Sequence, residues 1–505
     1  MKNIRITAIL TVVCVLSALF SSCSGGAENS GEENNKNGKT ETENPEDGSG
    51  VREKEIIPDY LPESDFGGYE FNVLAFDSTV QAYAAFISYD IYTEEMNGEP
   101  INDAVYTRNR YVEDKYNCAI KETKSADDGN FLRKAVNAAE DIYDVYYSLF
   151  NNITAVATSG YFYDFMALPN IDLSKPWWNQ NAKDSLSIAN ILFFMPCDLS
   201  VTQNNTTSSI TFNKKLIQDY DMESPYKIVS DGKWTIDKLI SMSKDICQDL
   251  NGDDIMDEYD KYGFICYRDA ALSFMHGAGG RIAKKNESGF FELTLNSETA
   301  VNALNKAFDL IYAPSSFNLH KELESKYGNI DYYEIAATMF SDNRVLFNWI
   351  LLHDIERLRN MDSDFGILPI PKYSEEQKDY GCTVNQYTSH AVAVPATVQD
   401  IGRTTVILEA LSAKSRYTLL PAYYEISMQR KFTRDEESAD MLDIIFNSQV
   451  YDIGSIYNIG NYSWEIIAMT MTQNRNIVSL YEKLEKTAQK DIDKISEKYS
   501  EIIEK

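Results

Sequence analysis

Five oxygen-bearing side chains in one short loop are the first chemistry this chain suggests. Asp249, Asn251, Asp253, Asp257 and Asp260 follow the spacing of a calcium loop at positions 1, 3, 5, 9 and 12, where oxygen ligands recur. Two positions depart from that template. Asp254 stands where a sharp-turn glycine is usual, with Gly252 displaced, and Asp260 replaces the longer closing glutamate. The spacing suggests a structural calcium ion that braces a turn. An acidic helix-to-strand turn built on Asn251-Gly252 accounts for the same residues without a metal. No other stretch requires a cofactor.

Catalytic patterns are missing. The chain has no Gly-x-Ser-x-Gly elbow and no His-Glu-x-x-His zinc helix. Its four histidines, His276, His320, His353 and His390, are scattered. Carboxylates are plentiful, but nothing in the sequence sets two of them at a glycosidase separation. The turn His276-Gly277-Ala278-Gly279-Gly280-Arg281 lacks the Gly-Lys-Ser/Thr of a phosphate loop, so it reads as a helix C-terminus. Cys118, Cys197, Cys247, Cys266 and Cys382 match no zinc spacing and cannot all pair, which suggests buried free thiols. The chain reads as a non-enzyme.

Elements that could position a site follow from periodicity. Tyr69 to Phe76, Cys118 to Lys121 and Ile142 to Leu149 read as strands. Helices fall between them at Ile101 to Tyr116, with Ala104, Val105, Tyr111 and Val112 inward, and at Asn130 to Ala139. This β-α-β-α-β alternation predicts a parallel sheet with ligands beyond its carboxyl ends. Asp77, Tyr147 and Ser148 stand at those ends. Ile191 to Met195, Ser209 to Asn213, Arg344 to Asn348, Phe365 to Pro371 and His390 to Val394 read as further strands. Thr235 caps a helix whose apolar period runs through Ile236, Leu239, Ile240, Ile246 and Leu250. Thr433 and Glu436 form a capping box, and the charged helix from Asn476 to Lys505 is expected on the surface. Of the adjacent Trp177 and Trp178, one is expected in the core and Trp177 is a candidate to face a cleft.

The 505 residues suffice for two or more domains. Residues 1–22 carry Lys2 and Arg5, then an apolar run to Phe20 too short to span a bilayer. The run ends Leu19-Phe20-Ser21-Ser22-Cys23, like a bacterial lipobox. That pattern predicts a signal peptide, cleavage before Cys23 and acylation of its sulfur. Residues 24–51 lack aromatic residues and read as a disordered tether. The net charge of −30 argues against binding nucleic acid or anionic lipid through a basic face.

Four stretches resemble the family 1 extracellular solute-binding proteins, carbohydrate-type receptors of ABC importers, and in particular a clostridial lipoprotein branch. They are IDLSKPWWNQNA (171–182), GKWTIDKL through DEYDKYGF (232–264), DFGILPIPKYSEEQKDY (364–380) and 392–446, from VAVPATVQD to MLDIIF. The resemblance implies an α/β, two-lobe, periplasmic-binding-protein-like fold with a ligand cleft between the lobes and a helical C-terminal region. It places an N-terminal lobe at 63–198, following a lipidated Cys and tether at 23–62, a C-terminal lobe at 199–385, and a return at 386–505. Crossings fall near Met195 to Thr202 and Val384 to Ala391. Trp349 matches the place of a sugar-stacking tryptophan in related maltodextrin-binding proteins. Asp198, Asn204 and Asn205, near the first crossing, are expected to hold hydroxyls, and Trp464 to form another wall. The implied function is a monomeric, lipid-anchored receptor on the extracellular face that delivers a carbohydrate to ABC permease subunits. A polysaccharide-active enzyme, an adhesin and a sensory partner of a membrane kinase are the alternatives.

Overall fold

The computed structural model describes residues 57, 59–77, 79, 88–126, 129–328, 331–429 and 436–504. The lipobox with Cys23, the tether and Thr433 of the capping box lie outside the described residues. No helix among those described is long and apolar enough to cross a membrane.

β1 (Tyr69–Phe76) is buried through its second half, as a strand covered on both faces must be. β2 (Cys118–Ser125) and β3 (Val145–Leu149) flank it in parallel, with Tyr69 opposite Cys118 and Val73 opposite Val145. The helices Pro100–Tyr116 and Asn130–Asn137 make the crossovers. Pro100 opens the first helix, where a missing N–H is harmless, and left-handed Asn117 closes it. Tyr111 differs from its inward expectation: it is exposed, with the Lys414 ammonium 4.1 Å from its ring centroid. β13 (His390–Ala393) joins from far along the chain, antiparallel to β3, with His390 opposite Leu149. The sheet order is β13-β3-β1-β2.

A second sheet is built from β4 (Ser208–Asn213), β5 (Cys247–Gln248), β6 (Lys261–Cys266), β9 (Ser316–Asn318), β10 (Val345–Leu351) and β11 (Phe365–Leu368). Its order is β11-β4-β10-β6-β5, with β9 also paired to β6. β6 runs parallel to β9 and β10, while β4 runs against β10 and β11. A hairpin of β7 (Ala283–Lys285) and β8 (Phe291–Leu293) stands apart, as does a parallel pair of β12 (Cys382–Thr383) and β14 (Gln449–Val450). The expected strand from Ile191 to Met195 is extended chain with isolated bridges, Ile188 to Ile191 and Met195 to Val392.

Two of the most distinctive sequence segments meet in this second unit. Thr235 accepts the Lys238 N–H at 3.1 Å and caps the helix Ile236–Ser243. The buried Trp234 donates its indole N–H to the Pro369 carbonyl at 2.9 Å. Ile236 and Lys372 extend that junction through backbone hydrogen bonds. The helix stops at Ser243, so Ile246 is buried in the following turn and Leu250 is exposed. Gly263 in β6 then crosses so close to the helix end that a Cβ would sit 2.0 Å from the Ser243 carbonyl oxygen.

The last helix, Ile477–Ile503, is not wholly superficial. Ile477, Leu480, Ala488, Ile492, Ile495 and Tyr499 bury one face of it, an amphipathic stripe at helical spacing.

Candidate functional site

Ligands of open α/β sheets sit beyond the carboxyl ends of the strands. Here Asp77, Ser125 and Leu149 mark those ends in the first sheet, and Tyr267, Leu319 and Leu352 in the second. One segment passes both sets. Val384 bridges Thr207, just ahead of β4, and Asn385 donates its N–H to the Thr206 carbonyl at 2.9 Å. Four residues on, the Ser389 carbonyl accepts the Phe150 N–H at 3.2 Å, at the end of β3.

That segment, Gln386 to His390, carries an unusual run of polar atoms. Gln386, Thr388, Ser389 and His390 are buried, and Tyr387 is half-buried. Gln386 Nε2, the Tyr387 hydroxyl, Thr388 Oγ1, Ser389 Oγ and both His390 ring nitrogens are buried with no hydrogen-bond partner within the protein. Each such group costs about 1–3 kcal/mol if it stays unpaired, and native folds carry few of them. Burial pushes His390 down to about 3, so its ring is neutral, with one donor and one acceptor.

The floor beneath His390 is rigid. Tyr147 stacks on its ring at 4.9 Å and 16°. The Tyr147 hydroxyl donates to Ser200 Oγ at 2.7 Å, and Ser200 in turn donates to Asp90 at 2.7 Å. Fully buried Arg108 clamps the carbonyls of Asp90, Ile91 and Leu199. Tyr147, Ser200 and His390 close on one another without room for a water. Ser148 is buried as well and accepts from Asn152. Tyr147 and Ser148 therefore support the site from below.

The opposite wall is aromatic. Trp464, on the helix Tyr462–Thr472, is 40% exposed, and its ring lies 4.5 Å from that of Tyr387. The Arg268 guanidinium, just past β6, lies 5.7 Å from the Trp464 ring. His320, just past β9, packs between Tyr332 and Tyr267, and burial lowers it to about 4. Burial likewise raises Tyr387 to about 12, while Gln386 and Ser463 close to its hydroxyl lower it. Those approaches do not amount to well-formed hydrogen bonds: the Tyr387 hydroxyl, Gln386 Nε2 and Ser463 Oγ all stay unpartnered.

Several expected site residues do other work. Trp177 and Trp178 are both fully buried, each donating its indole N–H at 2.9 Å to one oxygen of Glu409. A single buried carboxylate thus holds both rings in the core, and neither faces a cleft. Trp349 is enclosed in β10, edge-on to Tyr267 at 5.5 Å, and offers no free face. Asp198 is buried and paired with Arg416 at 3.0 Å. Asn204 accepts from Gln449 Nε2 at 3.1 Å, and Asn205 is half-buried at the end of the short helix Thr202–Asn205. Asp77 accepts the Thr79 N–H at 3.2 Å.

The residues that sequence reasoning passed over are Gln386 to Ser389, Arg268, Ser463 and Gln449. Their available signal was a polar run, Gln-Tyr-Thr-Ser-His, directly before an apolar strand. Gln449 donates to Asn204 and Thr207 and accepts from Asn179 at 2.6 Å, tying the first crossing to β14.

A hydroxyl, an imidazole and a carboxylate line up nearby. His276 contacts Thr383 Oγ1 at 3.1 Å through Nδ1 and Asp452 at 2.9 Å through Nε2. All three are buried, and Asp452 also accepts the Ile282 N–H at 2.8 Å. The hydroxyl is closed to any substrate, so the trio fastens β12 to the chain after β14.

The acidic loop is a chain of side-chain-capped turns. Asp249 accepts the N–H groups of Asn251, Gly252 and Asp254, and buried Asp260 accepts those of Leu250 and Asp257. Asn251 accepts from Asp253, Asp253 from Ile255, and Asp257 from Tyr259. Among the described residues no three His, Cys, Asp or Glu side chains are gathered into a group that could hold a metal ion. The expected calcium ligands Asp249, Asn251, Asp253, Asp257 and Asp260 all accept backbone N–H groups of the loop. Cys118, Cys197, Cys266 and Cys382 are buried free thiols, whereas Cys247 is exposed.

No protein-family model and no curated protein matches the chain. Solved structures do. A cyclo/maltodextrin-binding protein complexed with maltotetraose aligns at 13% identity over 86% of this chain and 98% of that one, with a TM-score of 0.53. UspC of M. tuberculosis aligns at 12% identity over 84% of this chain and all of its own, with a TM-score of 0.53. At this identity the likeness establishes the fold: α/β, periplasmic-binding-protein-like, with a helical C-terminal region.

Proposed function

We propose that the chain is a lipid-anchored extracellular receptor that captures a carbohydrate and passes it to an ABC importer. The observation that carries this reading is the run of unpartnered polar atoms from Gln386 to His390, within which the Tyr387 ring lies against the exposed Trp464. A sugar offers many hydroxyls, each both donor and acceptor, and an apolar C–H face that suits an indole. The segment that would bind it also joins the two sheets, so ligand contact and closure act on the same few residues. The receptor does no covalent chemistry. Acylated Cys23 and the tether hold it, as a monomer, outside the membrane for the permease subunits to engage. Support also comes from the four family-like stretches and from a fold neighbour solved with maltotetraose.

Thermal denaturation against a panel of mono- and oligosaccharides tests the capture step. A ligand present at 100 times its Kd adds about 2.7 kcal/mol, a shift of a few degrees for a chain of this size. If no sugar raises the melting temperature, the carbohydrate reading fails. Cys23→Ala tests the anchor: the variant should leave the membrane fraction, and its retention there would exclude acylation at that residue.

A further inference from the structure

Arg268 is a cation in an acidic protein, and among the described residues no carboxylate forms a salt bridge with it. Arg344, Arg357, Arg403, Arg416 and Arg475 each reach a carboxylate. Arg403 also has a buried, unpartnered Nε, but it pairs with Asp400 through its other end. Among the described residues Arg268 has the buried Nε and no such pair, and its guanidinium lies 5.7 Å from the ring of Trp464. Asp269 follows Arg268 in the chain, and burial raises that carboxyl while Arg268 lowers it. His320, Tyr332 and Tyr387, the other titratable groups Arg268 acts on, are neutral. Unpartnered side chains around Trp464 add further donors: Gln386 Nε2 and the hydroxyls of Tyr387 and Ser463.

Resting on the receptor reading above, we propose that Arg268 sets specificity by pairing with an anionic substituent of the sugar, and that the ligand is an acidic carbohydrate. Neutral hydroxyls would satisfy the guanidinium's hydrogen bonds but not its charge. A carboxylate or sulfate ester does both, in the forked geometry that arginine presents. The apolar ring face then lies on Trp464, and the remaining hydroxyls meet the half-buried Tyr387 and its neighbour Gln386.

Titration calorimetry of the full-length protein decides it, with maltotetraose, a glucuronate-containing tetrasaccharide and a sulfated disaccharide as probes. Wild type should bind an acidic probe at least tenfold more tightly than maltotetraose, with an affinity that falls as salt rises. The preferred acidic probe identifies the substituent as carboxylate or sulfate. Arg268→Gln should lose at least tenfold for the acidic probe and little for the neutral one, and Arg268→Lys should recover part of the loss. Should a variant fail to fold, the wild-type ranking alone decides. Equal or tighter binding of maltotetraose overturns the acidic specificity and leaves the receptor reading standing. Failure of all sugars, neutral and acidic, overturns both.

Discussion

At the scale of single residues, two predictions separate support from recognition. Glu409 holds both core tryptophans, and burial raises it to about 7 even though the two indole N–H groups pull the other way. Its folded pKa lies above the ordinary glutamate value, so the folded state binds this proton more tightly than the unfolded state. The group's contribution to stability is full below about 4.5 and is lost as pH rises through about 7. Glu409→Gln cannot ionise, so its stability relative to wild type should climb between pH 5 and 8. Paired denaturant curves measure this, and a flat difference would show that the carboxyl does not titrate there. Trp464→Ala should instead leave stability nearly unchanged and weaken ligand at least tenfold, about 1.4 kcal/mol, in calorimetry. The sequence marked Trp464 but could not rank it above Trp177 and Trp349. Residue type is the same in all three. What differs is a partner 231 or more positions away, or a place inside a strand, and neither is local information.

Element by element, local pattern served well where a segment's own chemistry set its limits. Thr235, Ser297 and Asn476 each cap the helix that follows, and the parallel run of β1, β2 and β3 follows from their alternation with helices. Pattern failed where a long-range contact decided. Ile246 and Leu250 keep a helical period, yet the chain must turn after Ser243 to let Gly263 pass. Gly263→Ala should cost about 1–3 kcal/mol by overpacking, read as a lowered denaturant midpoint; an unchanged midpoint would mean that this crossing can relax. The spacing of the acidic loop fits metal ligation and a series of capped turns equally well, and its carboxylates accept N–H groups of their own loop. Where β12 and β14 meet, His276→Ala would leave the buried Asp452 without its imidazole partner. Taking one hydrogen-bond donor from a buried carboxylate in this way costs about 1–3 kcal/mol. Chemical denaturation should show that loss, whereas a loss under 1 kcal/mol would make the contact incidental.

Over the whole molecule, sequence indicated two α/β units but not which strands close each sheet. β13 joins β3 across more than two hundred residues, and that pairing places Gln386 to Ser389 at the strand ends. The site is therefore a product of topology: a polar run harmless in a loop becomes a row of buried, unpaired groups once its chain must cross between sheets. The central claim is that a carbohydrate binds there against Trp464. Of five tryptophans, Trp177, Trp178, Trp234 and Trp349 are fully buried, so acrylamide quenching of fluorescence reports almost wholly on Trp464. The direct measurement is that quenching with and without saturating oligosaccharide. The account predicts that a sugar which raises the melting temperature also abolishes the accessible fraction, and that Trp464→Phe lacks that fraction from the start. An accessible fraction left unchanged by every stabilising sugar would contradict it.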